Sequence, residues 1–213
     1  MGSMSPTAAF EQPRRVPVQD RAKHKRQALL DAALAEFTER EYPEVTTKSI
    51  AERAGVAAGT FYQYFESKDQ ILREVARLRL AAFTELIVDE DGRPMPRILS
   101  EQPIGAHIRA SMEITYRFHA ENPRLHGTIE QRRALDPELD ALAATGDRTI
   151  LDRVAAAVRR WGLDRSDERA FVIVSMTEGL IHRHVFGTHA VSKAAVMEMA
   201  AEMITNYLEL QKS

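Results

Sequence analysis

AERAGVAAGTFYQYFESKDQIL, residues 51–72, places a glycine between two short helical patterns and then sets Phe61, Tyr62, Tyr64 and Phe65 within five positions. At about 100° per residue, Phe61 and Phe65 share one face of a helix running from Ala58 to Phe65. Gln63 points away from that face, and Thr60 and Tyr62 flank it. Two aromatics satisfy a core; the other two face something else. So short a helix is unstable alone. Other helices must pack behind it, and something polar lies in front.

Two short helices joined by a tight glycine-containing turn, with a third helix behind, form a helix-turn-helix arrangement. The second helix would enter the major groove, where Gln63 can pair with adenine and the tyrosine hydroxyls can donate to phosphate. Spacing alone equally allows a helical hairpin inside an ordinary bundle.

Outward from this stretch, helical spacing recurs and no period-two alternation is sustained. Leu30, Ala33, Leu34 and Phe37 form the stripe of a first helix over residues 20–40. Thr46 caps a second helix carrying Ile50, Ala51 and Ala54, and Gly55 ends it. Ser67 with Gln70 reads as a capping box opening a fourth helix towards Ile87. Residues 89–102, with Gly92, Pro94 and Pro96, break the pattern. Helices resume over 103–121, 123–133, 137–161, 167–187 and 193–211. Pro123 and Pro137 suit first turns, Ser166 and Ser192 suit caps, and Gly162 and Gly187 suit stops. The fold class is all-α, with about nine helices.

The 213 residues hold 44% hydrophobic and 28% charged residues, an ordinary globular balance, with a net charge of −2. No apolar run approaches the ~20 residues of a membrane span, and no signal peptide is evident, so a cytoplasmic protein without membrane contact is expected. The absence of cysteine excludes disulfides and thiolate chemistry. Charge is uneven: Arg14, Arg15, Arg21, Lys23, Lys25 and Arg26 face only Asp20 over residues 13–27. Alone this reads as a solvated tail; beside a DNA-reading element it reads as a phosphate or minor-groove contact.

The segment TTKSIAERAGVAAGTFYQYFESKDQIL closely resembles the DNA-binding region of TetR-family transcriptional regulators. Thr46, Ile50, Ala51, Ala54, Gly55, Val56, Gly59, Thr60, Tyr62, Tyr64, Phe65, Ser67, Lys68 and Leu72 carry the likeness. It implies that Thr46, with Thr47 and Lys48 in the same turn, meets phosphate at a helix N-terminus. It implies that Thr60 and Tyr62 touch backbone or base edges, that Tyr64 flanks them, and that Lys68 holds another phosphate. Two departures stand out. Ala57 and Ala58 replace a serine and a polar or proline residue, which leaves methyl groups to meet thymine methyls. Glu41 stands where the family commonly has glycine before an aromatic, so the turn before Tyr42 is built differently.

The resemblance divides the chain into a basic arm (1–19), a helix-turn-helix domain (20–66) and an effector-binding and dimerisation domain (67–213) whose first helix, 67–88, is the connector. The sequence FVIVSMTEGLI (171–181) is apolar nearly all round, as is the last helix, so both are buried on several sides. Family analogy supplies a partner copy through a four-helix bundle, and with it a palindromic operator. Polar and aromatic residues within apolar stripes mark a ligand pocket: Met112, Tyr116, His119, Trp161, Phe171, Ser175, Glu178 and His182. The reading of Glu178 and His182 as a buried hydrogen-bonded pair stays open, as does Tyr116 as core.

His182 and His184 lie two apart on a helix and diverge by about 200°, so they do not share an ion, and neither metal nor cofactor is expected. No G-x-S-x-G, H-E-x-x-H or phosphate-cradling loop is present, so an enzyme is not expected. The expected function is a repressor released from double-stranded DNA by a small apolar or amphipathic effector. The alternatives are an effector-independent architectural DNA-binding dimer and a helical ligand-binding protein without DNA function.

Overall fold

The computed structural model describes residues 18–86 and 103–211, and helices with short turns make up these two stretches. Helix α1 (Val18–Glu39) is built mainly from alanine, leucine and long polar residues, good helix formers. It buries Leu29, Leu30, Ala33 and Phe37. Leu34, expected in that stripe, is 39% exposed because it lies about 100° round from Ala33, at the stripe's margin.

A single 3₁₀ turn, Tyr42–Glu44, follows. Glu41 is extended there (φ −66°, ψ 146°), and its amide donates to Glu44 Oε2 at 3.2 Å. The left-handed residue that would call for glycine is absent from this turn, so glutamate is tolerated.

Helix α2 (Thr47–Arg53) is capped by Thr46, whose hydroxyl accepts from the Ser49 amide at 2.9 Å. Gly55 follows at φ +68°, the left-handed conformation that lets the chain reverse without a Cβ clash. Helix α3 is shorter than expected: Ala58–Phe61, continued by turn residues 62–64. The amides of Gln63 and Tyr64 bond three residues back, tightening the chain, while the Phe65 amide still reaches Phe61. Phe61 and Phe65 therefore keep their common buried face, at 0% and 2% exposure.

Helix α4 (Lys68–Leu86) begins with the Gln70 amide on Ser67 Oγ at 3.1 Å. The return bond goes from the Glu66 amide to Gln70 Oε1, one residue earlier than a capping box places it.

Helices α5 (Ile104–Ala120), α6 (Pro123–Arg133), α7 (Pro137–Arg160), α8 (Ser166–Phe186) and α9 (Lys193–Leu210) complete the chain. Prolines open α6 and α7, and Asp136 caps α7 through the amides of Glu138 and Leu139. Ser192 caps α9, accepting from the Ala195 amide. Ser166 is not a cap: it is the first helical residue of α8, and Arg165 takes the cap position at φ +46°. Gly162, at φ +79°, stops α7 as expected.

Two apolar cores result. The first joins α1, α2, α3 and the start of α4, and also takes in Leu125 of α6 and Leu139 of α7. The second gathers Ile108 and Met112 of α5, Val158 of α7, Ile173 of α8, and Ile204 and Leu208 of α9. The expected division at residues 66/67 falls in the turn before α4, but packing runs across it. Ile71, Leu72, Val75 and Ala76 of α4 belong to the first core. Of the expected arm (1–19), residues 1–17 lie outside the described residues, as does the 89–102 break, while Val18 and Gln19 belong to α1.

Candidate nucleic-acid interface and ligand cavity

Buried Phe61 and Phe65 anchor the recognition segment, and fully burying side chains of this size contributes about 1.5–3 kcal/mol each. Their burial leaves Ala57, Ala58 and Gln63 exposed, with Tyr62 61% exposed beside them. The Tyr62 ring packs edge-on to Phe61 at 5.4 Å, and its hydroxyl shares a 2.9 Å hydrogen bond with Thr47 Oγ1. That bond ties the first turn of α2 to the recognition segment. Lys48 is exposed, with only a solvent-facing ion pair to Glu52 at 3.7 Å, a contact worth little in water. Thr46, Thr47, Lys48, Ala57, Ala58, Tyr62 and Gln63 thus lie on or beside one open surface. Thr60 and Tyr64 are half-buried; Tyr64 packs against the first core. Arg14 and Arg15 lie outside the described residues.

Lys68 is placed differently from the phosphate contact its position implied. Its Nζ donates to the carbonyls of Tyr42 and Val45, each at 2.7 Å, and lies 4.0 Å from the centre of the Tyr42 ring. Burial pushes its pKa down. Two of its three donors are engaged in holding the 3₁₀ turn against α4.

Sequence spacing gave no sign of the ties that set this unit against its neighbours. Arg53 of α2 pairs with Glu39 at 2.5 Å and Glu36 at 3.2 Å, clamping α2 to α1. Arg132 of α6 donates to Asp69 Oδ1 at 2.9 Å, and Arg73 of α4 reaches Asp136 at 2.9 Å. The last two join residues more than sixty positions apart, which no local pattern encodes.

Behind this head lies a cavity of about 280 Å³. Ala76, Arg79, Leu80 and Phe83 of α4 form one wall; α5, α6, α7 and α8 supply the others, with Ile204 of α9. Met112, His119, Trp161, Glu178 and His182 line it, as the sequence led us to expect. Tyr116, Phe171 and Ser175 do not. Tyr116 turns to the far edge of α5, where its hydroxyl meets His184 Nδ1 at 3.0 Å. Phe171 and Ser175 are exposed, because the inward face of α8 is the one carrying Ile173, Thr177, Ile181 and His182. Phe171, Val172 and Met176 form an apolar outer stripe on α8, and Met199, Met203, Tyr207 and Leu210 form another on α9.

The cavity is mostly apolar but carries buried charge. Arg79 lies 4.4 Å above the Phe118 ring and donates Nη2 to the Phe118 carbonyl. Its Nε and Nη1 are buried without a hydrogen-bond partner, an expensive arrangement for a cation. Burial, with Asp147 and Glu130 nearby, raises the Glu178 carboxyl pKa. His119 and His126 are pushed down to about 4 and about 3, chiefly by burial, so both are neutral imidazoles at neutral pH.

His184 stays apart from His182, as the helical spacing requires; it contacts Tyr116 and His189 instead. Histidines of different helices do come together, however. His182 of α8 meets His119 of α5 and His126 of α6, with one ring nitrogen of each within 4.8 Å of the others. Spacing along one helix could not reveal ligands drawn from three.

Residues 29–75 match the family model described as bacterial regulatory proteins, tetR family, and residues 103–208 match that described as tetracyclin repressor-like, C-terminal domain. The transcriptional repressor KstR of Rhodococcus jostii is 46% identical over 50 residues, 24% of each chain. The fatty acid metabolism regulator protein of Bacillus subtilis is 34% identical over 62 residues, 29% of this chain and 32% of its own. The chain thus spans between a quarter and a third of the length of these two relatives. A tetR-family transcriptional regulator from Streptomyces coelicolor superposes with a TM-score of 0.72 over 92% of this chain and 91% of its own, at 15% identity.

Proposed function

This chain belongs to the TetR family of DNA-binding transcription regulators, which are not enzymes, and on that premise we propose that it is a homodimeric, cytoplasmic repressor released from a palindromic operator by a small amphipathic effector. One observation carries the DNA-reading part. The open face of Ala57, Ala58, Tyr62 and Gln63 is held rigid by Phe61 and Phe65 beneath it. Gln63 offers bidentate pairing to adenine, the alanine methyls suit thymine methyls, and Lys48 supplies phosphate charge.

The outer stripes of α8 and α9 are too apolar to remain in water and fit a two-fold four-helix contact between copies. Two reading heads related by that axis meet two half-sites, hence a palindrome. The proposed division is a head over 20–66 and a sensor over 67–213, with α4 between them. A cavity walled by α4 favours effector control over a purely architectural dimer, whose core would be filled. An apolar body with one anionic group fits the cavity, the anion meeting the two unpartnered donors of Arg79. Occupancy shifts α4 and with it the head, changing the separation of the two reading segments.

The test is selection of genomic fragments by the purified full chain, with Tyr62→Ala plus Gln63→Ala as control. Enrichment of a short palindrome that the control loses supports the reading. Equal enrichment by both proteins, or none at low salt, rejects it.

A further inference from the structure

Three imidazoles from three helices converge on the cavity wall, and their geometry is that of ligands rather than of packing alone. Nδ1 of His119 lies 2.8 Å from the Thr115 carbonyl. A carbonyl only accepts, so Nδ1 carries the proton and Nε2 presents its lone pair. Ligating histidines are held in this way, with the second ring nitrogen donating to a backbone carbonyl.

Nε2 of His126 and Nε2 of His182 face each other at 3.1 Å. Two nitrogens bound to one ion at ~2.0–2.1 Å with tetrahedral angles stand about 3.3 Å apart. This pair is already at ligand spacing. Each histidine offers a ring nitrogen within 4.8 Å of the others, so each of the two remaining sides of the triangle closes by about 1.5 Å at most, within reach of imidazole rotation.

We propose that His119, His126 and His182 form a binding site for a divalent transition-metal ion of the zinc class. An all-imidazole set, in a chain without cysteine, suits zinc, nickel, cobalt or copper over magnesium or calcium. Three neutral ligands leave a fourth position open. Glu178, one turn before His182 on α8, lines the same cavity. Phe186 stacks on the His126 ring at 5.4 Å, covering the site with an apolar ring.

The alternative is a self-satisfied cluster in which His126 and His182 share one hydrogen bond and no ion enters. The two differ in consequence. An ion pins α5, α6 and α8 to one point, and α6 also carries Arg132, the partner of Asp69 at the start of α4. Metal binding itself is independent of the DNA reading proposed above.

The experiment uses the full chain, stripped with a chelator and titrated with Co²⁺ and then Zn²⁺, with no DNA present. The expected result is one ion per chain, visible Co²⁺ bands of low coordination number, displacement by Zn²⁺, and a higher unfolding temperature. His126→Gln and His182→Gln each weaken binding by more than the ~10–100-fold cost of losing a supporting partner. His184→Gln, a neighbour outside the triad, binds as the wild type does. A folded wild-type chain that takes up no ion saturably overturns the proposal, as does undiminished binding by the two triad variants. Failure of operator binding, with the cobalt spectrum intact, leaves the metal site standing and removes only the DNA reading.

Discussion

The Tyr42 hydroxyl donates to Asp69 Oδ1 at 2.5 Å, and the same oxygen accepts from Arg132 at 2.9 Å. The Tyr42 ring is covered by Lys68 at 4.0 Å and by Arg132 at 4.5 Å. Burial, and then Asp69, raise the phenol pKa, so the ring stays a neutral donor. Four residues from three segments of the chain thus meet where the 3₁₀ turn, the start of α4 and α6 converge.

Tyr42→Phe keeps the ring and both cations but removes the donor. The expected cost is about 1–2 kcal/mol of stability, a hydrogen bond to a charged acceptor. Denaturant unfolding of the full chain reads it, and a loss below ~0.3 kcal/mol would show the bond to be inconsequential.

Lys48 and Lys68 separate a phosphate contact from a structural one. Lys48→Ala is expected to leave stability unchanged, weaken DNA binding across all sequences and lower the salt slope by about one. Lys68→Ala is expected to reduce stability by about 1–3 kcal/mol, because the Tyr42 and Val45 carbonyls lose a charged donor, with the salt slope nearly unchanged. Salt-dependent binding isotherms and melting curves on both variants decide it, and a fall of one unit in the slope for Lys68→Ala would reassign that residue to phosphate.

Asp136 gives stability a pH signature. Burial alone would raise its carboxyl pKa, but the Leu139 amide, Arg73 and the Glu138 amide outweigh it and hold the pKa below the ordinary value. A depressed folded-state value means the unfolded chain takes up the proton first. The contribution is therefore full above the unfolded pKa of ~3.9 and is lost as pH falls through the lower folded value. Asp136→Asn is expected to cost about 1–2 kcal/mol at neutral pH and to match wild type once the pH is below the folded value. A gap in unfolding temperature that persists undiminished into that acid range would refute the assignment.

The outer faces of α8 and α9 predict assembly. Phe171→Glu and Met203→Glu each place charge in an apolar stripe at a residue that is more than half exposed in the single chain. Each is expected to raise the dimer dissociation constant at least ~10-fold, the equivalent of one lost apolar contact. Sedimentation at equilibrium measures this, and two variants as dimeric as wild type would move the interface elsewhere.

Local rules made much of the fold readable. Pro123, Pro137, Gly55 and Gly162 act where their backbone chemistry requires, and Phe61 and Phe65 bury together although their helix is half the expected length. Ser166 misled because a serine ahead of an apolar run is a cap signal, while Arg165 here adopts the cap conformation itself. The cavity was half legible. Periodicity finds the face that Met112, His119, Glu178 and His182 share, but it cannot say that Phe171 and Ser175 look outward, because an all-round apolar helix has no marked face. Lys68 was read from a motif position, and its inward turn depends on carbonyls 26 and 23 residues away. His126 carried no signal at all, since its partners sit on other helices.

Ala76 of α4 and Leu139 of α7 pack in the head core and also line the cavity, so the two compartments touch along both helices. The 19 residues of α4 make a rod about 28 Å long, one half packed in the head core and the other walling the cavity. A rod gripped at both ends transmits packing errors as readily as signals. If the cavity governs DNA binding as proposed, heritable loss of control should therefore map along the whole length of that helix, in variants that fold, dimerise and still own an intact reading face, yet can no longer be told whether the chamber is full.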